Sequence, residues 1–253
     1  AAAQKAISNN PEVTARLNAM RAAGNEADVA RGGYYPRVDL AADIGRDSNR
    51  ITTNNPESTS FSRNGLALSA NQLLWDGQAT RKEVERLGHA RVTRYFEFLA
   101  ATEDTALEAA RAYIDVQRYR KLVSLAEDNY VQHKYAFDQL ASKVKAGVGR
   151  GVDSEQANAR LALADSNLTT EVANLHDVSS RYLRVVGEAP AGKQPNPTGL
   201  DRGIPAGNSD AVNQALSHHA SISAAVENLR AAQSQATAKE SAYQPKVEAR
   251  ART

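Results

Sequence analysis

Residues 6–39, AISNNPEVTARLNAMRAAGNEADVARGGYYPRVD, recur without a gap as residues 215–248, ALSHHASISAAVENLRAAQSQATAKESAYQPKVE. Ala6, Ser8, Ala15, Arg21, Ala22, Ala23, Ala27, Tyr34, Pro36 and Val38 fall on Ala215, Ser217, Ala224, Arg230, Ala231, Ala232, Ala236, Tyr243, Pro245 and Val247. Conservative pairs join them, among them Ile7/Leu216, Val13/Ile222, Leu17/Val226, Met20/Leu229, Arg37/Lys246 and Asp39/Glu248. Two copies of one helix-to-strand unit, with the rest of the chain between them, indicate a duplicated architecture. The chain reads as one full repeat followed by the opening of the next.

Within the first copy the hydrophobic period changes. Residues 4–33 carry helix signals with Ile7, Val13, Leu17, Met20 and Val29 as the larger apolar side chains. Gly32-Gly33 ends them, and Pro36 pushes Tyr35 to extended geometry. Val38, Leu40, Ala42 and Ile44 then alternate with Arg37, Asp39, Ala41 and Asp43, the period of a strand. Residues 46–60 form a polar loop on this reading. A second strand follows, with Asn64, Leu66, Leu68 and Ala70 on one face and Arg63, Gly65, Ala67, Ser69 and Asn71 on the other. The two strands, within residues 37–74, are near the length that crosses an outer membrane when tilted. An amphipathic hairpin on a soluble sheet gives the same alternation.

The remainder is helical in character. Aromatic residues make up only 6% of the 253 residues, and Gly and Pro cluster in a few places. Ala-, Leu-, Glu-, Lys- and Arg-rich runs of this length indicate long helices. After Trp75-Asp76-Gly77, helix signals run from Gln78 to Ala146, roughly 100 Å at 1.5 Å per residue. Glycines at 147, 149 and 151 make a turn, and a second helix runs to about Val186. Leu161, Leu168, Leu175 and Tyr182 recur every seven residues, with Ala164, Val178 and Val185 in companion positions and Glu171 breaking the stripe, a narrow coiled-coil-like seam. Residues 75–186 are thus a long antiparallel hairpin with its tip at 147–152. Residues 187–210, rich in Pro and Gly, form a connector, and 211–253 begin the second copy of the unit at 1–36.

Several function classes are excluded or disfavoured. The net charge of +2, with acids and bases interleaved, offers no basic field for nucleic acid. The absence of cysteine removes disulfides and thiolate metal sites and fits an exported protein. No run of 18 apolar residues supplies a spanning helix. There is no phosphate loop and no nucleophile constellation, so no enzyme activity, cofactor or metal is expected. The histidines at 89, 133, 176, 218 and 219 lack ligand spacing and read as surface residues.

Three stretches resemble the TolC-like outer-membrane channels of efflux and export systems. They are Gly33-Tyr34-Tyr35-Pro36-Arg37-Val38-Asp39-Leu40, Gln72-Leu73-Leu74-Trp75-Asp76-Gly77, and the tip Lys145-Ala146-Gly147-Val148-Gly149-Arg150-Gly151-Val152-Asp153 with Gln156-Ala157-Asn158-Ala159-Arg160-Leu161. The style of the first and third is most similar to the type I secretion subgroup. The resemblance implies a mainly α fold with a β-hairpin: a helical hairpin forming part of an α-barrel wall, plus two strands of a transmembrane β-barrel. It implies a homotrimer in the outer membrane of a Gram-negative bacterium, with a large periplasmic part. It further implies docking to a periplasmic adaptor and, through it, to an inner-membrane ABC transporter or proton-driven pump, with no nucleic-acid partner. Against the family pattern, the second strand pair and second hairpin are missing, so residues 38–74 are expected to pair between copies or to lack order.

On this resemblance, Ala146, Gly147, Val148, Gly149, Arg150 and Gly151 are the adaptor-docking tip. Asp153 is either a gate residue or a cap on the second helix. Arg37, Asp39, Asp43 and Arg63 are candidates to line the barrel lumen. Tyr34, Tyr35 and Trp75 are candidate aromatics of the membrane interface, in contact with outer-membrane lipid. The rival reading is a soluble periplasmic coiled-coil adaptor or scaffold, which predicts compact β-modules flanking one hairpin.

Overall fold

The computed structural model describes residues 2–50, 58–197 and 203–253. The chain runs α1 (Ala2–Asn9), α2 (Pro11–Arg31), β1 (Arg37–Arg50), β2 (Ser58–Trp75), α3 (Ala79–Lys145), α4 (Gly151–Val186), α5 (Asn208–His218), α6 (Ala220–Glu240) and β3 (Val247–Arg252). Single-turn 3-10 helices at Gly32–Tyr34 and Ser241–Tyr243 precede β1 and β3.

The duplication holds at the level of elements. α2 and its 3-10 turn map onto α6 and its 3-10 turn at the sequence offset of the repeat. Even the hydrogen bonds correspond: Asn10 N–H donates to Ala6 O and His219 N–H to Ala215 O, both at 2.9 Å. Both 3-10 turns close at 3.0 Å, Tyr35 N–H to Gly32 O and Gln244 N–H to Ser241 O.

Three expectations about boundaries need correction. The single helix expected over 4–33 is two helices broken at Asn10. Pro11 has no N–H to continue the helix, and it disfavours helical geometry in the residue before it. Asn10 fills the gap, its Oδ1 accepting from Glu12 N–H at 2.8 Å. The second copy breaks equivalently at His219, which is extended at φ −68° and ψ 121°. The polar loop expected over 46–60 is also too long. β1 continues to Arg50 and β2 resumes at Ser58, paired in register to the last residue; residues 51–57 lie outside the described residues. Backbone pairing does not require apolar side chains, so the ladder outruns the apolar alternation. The connector expected over 187–210 gives way to α5 from Asn208, and its residues 198–202 likewise lie outside the described residues.

One compact unit comprises the chain up to Leu17 together with Glu97–His219. Its core joins α1, α3 and α4 through Ala6, Ala109, Ala112, Val116, Tyr182, Val185 and Val186. Small residues here allow close helix approach. Along α4 the buried or half-buried positions include 157, 161, 164, 168, 171, 175, 178, 182 and 185, the seven-residue stripe read from the sequence. The connector is strapped to one face of α3, with Tyr113 Oη donating to Pro195 O at 2.6 Å and Gln117 Nε2 to the same oxygen at 2.8 Å. Arg120 Nη1 reaches Gly192 O at 3.1 Å.

The other unit comprises Asn18–Phe96 and Ala220–Thr253. Its helical part buries Ala23, Ala27, Leu87, Ala220, Ala224 and Ala231. Its sheet has the order β1-β2-β3, antiparallel throughout. Among the described residues, β2 pairs within the chain with β1 along the whole of β1 and with β3 from Ser69 to Trp75. His89 is not the free surface residue expected. Its Nδ1 lies 2.7 Å from Glu227 Oε2, and Arg230 Nη1 donates to Glu227 Oε1 at 2.6 Å. The His89 hydrogen bond, aided by Arg230, holds the Glu227 carboxyl below its ordinary range against the opposing effect of burial.

A depressed carboxyl stabilises the fold above its unfolded pKa, near 4.3, and the contribution disappears as pH falls through the lower folded value. Glu227→Gln is expected to destabilise the protein by about 1–2 kcal/mol at pH 7. The gap to the parent should close as pH falls toward 3 (~1.3 units below the unfolded pKa), read by thermal unfolding followed by helical circular dichroism. A gap of constant size across that range would contradict the pairing.

Candidate functional site

The sheet is built from residues that sort by parity. Pairing runs from Arg37 opposite Asn71 to Arg50 opposite Ser58 without a bulge. Successive side chains alternate in direction, so in-register pairing places Arg37, Asp39, Asp43, Asp47 and Arg63 on one face. β3 adds Glu248, Arg250 and Arg252 to it through its pairing with β2. The four residues expected to line a lumen thus share one side of the sheet.

Most of the charges on that face are held in ion pairs. Arg37 Nε donates to Asp39 Oδ1 at 3.1 Å. Arg63 Nε lies 3.1 Å from Asp43 Oδ2, and its Nη1 lies 3.6 Å from Asp47 Oδ2. The Asp43 carboxylate rests over Gly65, where any side chain would run into it. Glu248 receives Lys246 at 2.6 Å and Arg250 at 2.8 Å.

The other face carries Val38, Leu40, Ala42 and Ile44 opposite Ala70, Leu68, Leu66 and Asn64. Val38, Leu40, Ile44, Leu66 and Leu68 are between 47% and 93% exposed. A contiguous apolar patch of this kind marks an interaction surface. No described helix is long and apolar enough to cross a membrane.

Of the three aromatics, Tyr34 and Trp75 line one cleft at the strand-to-helix junction, with Leu73, Leu74 and Arg81. Tyr35 lies instead beside Arg37, Asp39 and Arg250 in a cleft on the polar face. Tyr243, 93% exposed, was not singled out, although the repeat aligns it with Tyr34. At this junction Asp76 Oδ2 accepts from Thr80 N–H at 2.8 Å and Thr80 Oγ1 at 2.6 Å. Burial pushes the Asp76 carboxyl up, but these bonds and those from the Ala79 and Gln78 backbone outweigh it and hold the carboxyl below its ordinary value.

The hairpin tip is a separate site. α3 ends with Val148 N–H and Gly149 N–H both donating to Lys143 O, at 3.0 and 3.1 Å. Gly147 takes φ +76°, and a Cβ on Gly149 would come within 2.9 Å of Val144 N. The fold at this turn leaves Val148 80% and Val152 77% exposed. Val152 lies in the tip expected at 147–152 but was not among the docking residues named there, Ala146–Gly151. Asp153 is not the cap of α4. Arg150 holds that position without a side-chain cap bond, and Asp153, in the first turn, lies 3.7 Å from Arg150 Nε. Among the described residues no cluster of three or more His, Cys, Asp or Glu is placed to hold a metal ion.

The protein-family model described as Outer membrane efflux protein matches residues 2–181. The outer membrane efflux protein BepC of Brucella suis biovar 1 (strain 1330) is 27% identical over 244 residues, covering 96% of this chain and 52% of the relative. The chain therefore spans about half the length of the curated relative it matches. Among solved structures, the CmeC outer membrane channel of Campylobacter jejuni superposes with a TM-score of 0.85 at 15% identity, over 98% of this chain and 54% of the other. The outer membrane protein VceC of Vibrio cholerae gives 0.83 at 17%, over 99% and 60%. At these identities the structures speak for the fold alone.

The tip geometry has a direct check. Gly149→Ala forces the backbone of α3's last turn to shift, whereas Gly151 has open space around it. Limited trypsin digestion at Lys143, Lys145 and Arg150 is expected to be several-fold faster in Gly149→Ala and unchanged in Gly151→Ala. Equal rates in the two variants would contradict the described turn.

Proposed function

The chain belongs to the outer membrane efflux protein family, and from that premise we propose that it is a subunit of a trimeric outer-membrane conduit. The observation that carries the reading is the two-faced sheet. One face holds paired charges suited to a water-filled lumen, and the other exposes apolar side chains suited to lipid. The conduit does no chemistry of its own; it passes solutes whose selection and driving force come from partners.

In this reading Tyr34, Tyr35 and Trp75 sit near the membrane boundary on the periplasmic side, where amphipathic rings are favoured. The tip, Ala146–Gly151, docks to a periplasmic adaptor through the protruding Val148 and the neighbouring Arg150. Through that adaptor the conduit meets an inner-membrane ABC transporter or proton-driven pump. Efflux of small molecules is favoured over type I secretion by the efflux designation of the family and of its relative. Asp153, in the first turn of α4, remains a candidate gate residue. The soluble adaptor or scaffold reading has no use for an exposed apolar sheet face and is not favoured by the family match.

The test is oligomeric mass in mild detergent together with conductance in a planar bilayer. Both are measured on this chain and on a chain extended to the relatives' full length. The extended chain is expected to give a defined trimer that conducts ions. Solubility without detergent and no conductance from either chain would overturn the channel reading.

A further inference from the structure

The apolar face of the sheet ends in a cation. Along β1 the residues pointing to that face are Val38, Leu40, Ala42, Ile44 and then Arg46. Arg46 is exposed and lies opposite Ser62, with Ser48 opposite Ser60 one step further along. The position of Arg50, at the end of β1, shares that parity, and the remaining charged residues of the three strands fall on the polar face. Charge is thus sorted to one side of the sheet up to Gly45, and the departure begins at Arg46, at the end remote from the joints to α2 and α3.

The position of that departure is informative. Val38 to Arg46 is about 27 Å of strand at ~3.4 Å per residue. At the usual tilt of about 40° this is roughly 20 Å of height, close to the ~25 Å apolar band of an outer-membrane barrel. Arg46 therefore sits where hydrocarbon gives way to headgroups. Serine hydroxyls surround it, and no carboxylate shares its face among the described residues. A guanidinium with neighbouring hydroxyl donors matches a phosphate ester by charge and by hydrogen-bond geometry.

We propose that Arg46, with Ser48, Ser60 and Ser62, forms a contact site for the phosphate groups of phosphorylated lipid in the outer leaflet. The site rests on the membrane reading of the sheet. It anchors the rim remote from the helices, while aromatic residues mark the opposite boundary.

The experiment reconstitutes the protein into phosphatidylcholine vesicles with and without diphosphoryl lipid A. It then measures lipid A retained per protein after extraction in mild detergent. Arg46→Ala is expected to lower retention about fivefold, the factor contributed by one basic residue at a negative surface. Arg46→Lys should retain part of it, and Arg250→Ala, a cation on the opposite face, all of it. Dephosphorylated lipid A should be retained no better by the parent than by Arg46→Ala. Equal retention by the parent and Arg46→Ala, or an equal loss in Arg250→Ala, overturns the site and leaves the membrane reading standing. Failure of every variant to enter vesicles of phosphatidylcholine alone overturns both.

Discussion

The in-register ladder between β1 and β2 is the constraint on which the functional reading depends. Fourteen residues of β1 pair with β2 without a bulge, so parity alone decides which way each side chain points. A one-residue slip would move Arg37, Asp39, Asp43 and Arg63 onto the apolar face. The register also brings Arg63 between Asp43 and Asp47 and sets Asp43 over the bare backbone of Gly65. Exposed ion pairs add little stability in water. Their weight here lies in fixing the charged face and in opposing a slip.

The same sorting creates the demand for a partner. Val38, Leu40, Ile44, Leu66 and Leu68 remain exposed, and burying each side chain is worth about 1.5–3 kcal/mol. Leaving all five in water forgoes on the order of 10 kcal/mol, comparable to the whole stability of an ordinary domain. Lipid removes that cost, provided the backbone groups are paired, as strands in a barrel require. The helical parts work differently. Their interior is mostly alanine and valine, with Leu87 and Tyr182 among the few larger buried side chains, a surface that gains from close approach. Glycines then turn the chain back at the tip.

Much of this was legible in the sequence because duplication and alternation are strong, local signals. The repeat located both helix-to-strand units, and alternation over 37–44 and 63–71 assigned both faces of the sheet. The break at Asn10 was missed although Pro11 stands in plain view, because the helix pattern on either side is continuous. The outer halves of the strands were missed because residues 46–49 are all polar and Phe61 alone makes no apolar alternation, whereas the ladder there rests on backbone pairing. The His89–Glu227 contact joins residues 138 apart, and no local pattern announces it. Asp153 was read as an alternative cap because it stands near a helix start, yet the cap position falls to Arg150. Tyr243 and the charges of β3 could have been found by carrying the repeat and the parity rule one step further.

The central claim is that the two faces of the sheet meet different solvents. The chain has no cysteine, so single cysteines can be placed from residue 38 to residue 44 and labelled with an environment-sensitive fluorophore in reconstituted vesicles. The expected result is alternation with a period of two. Labels at even positions should be blue-shifted and quenched from within the lipid, and labels at odd positions should be quenched by aqueous iodide. Uniform aqueous quenching along the strand, or alternation of the opposite phase, would contradict the account.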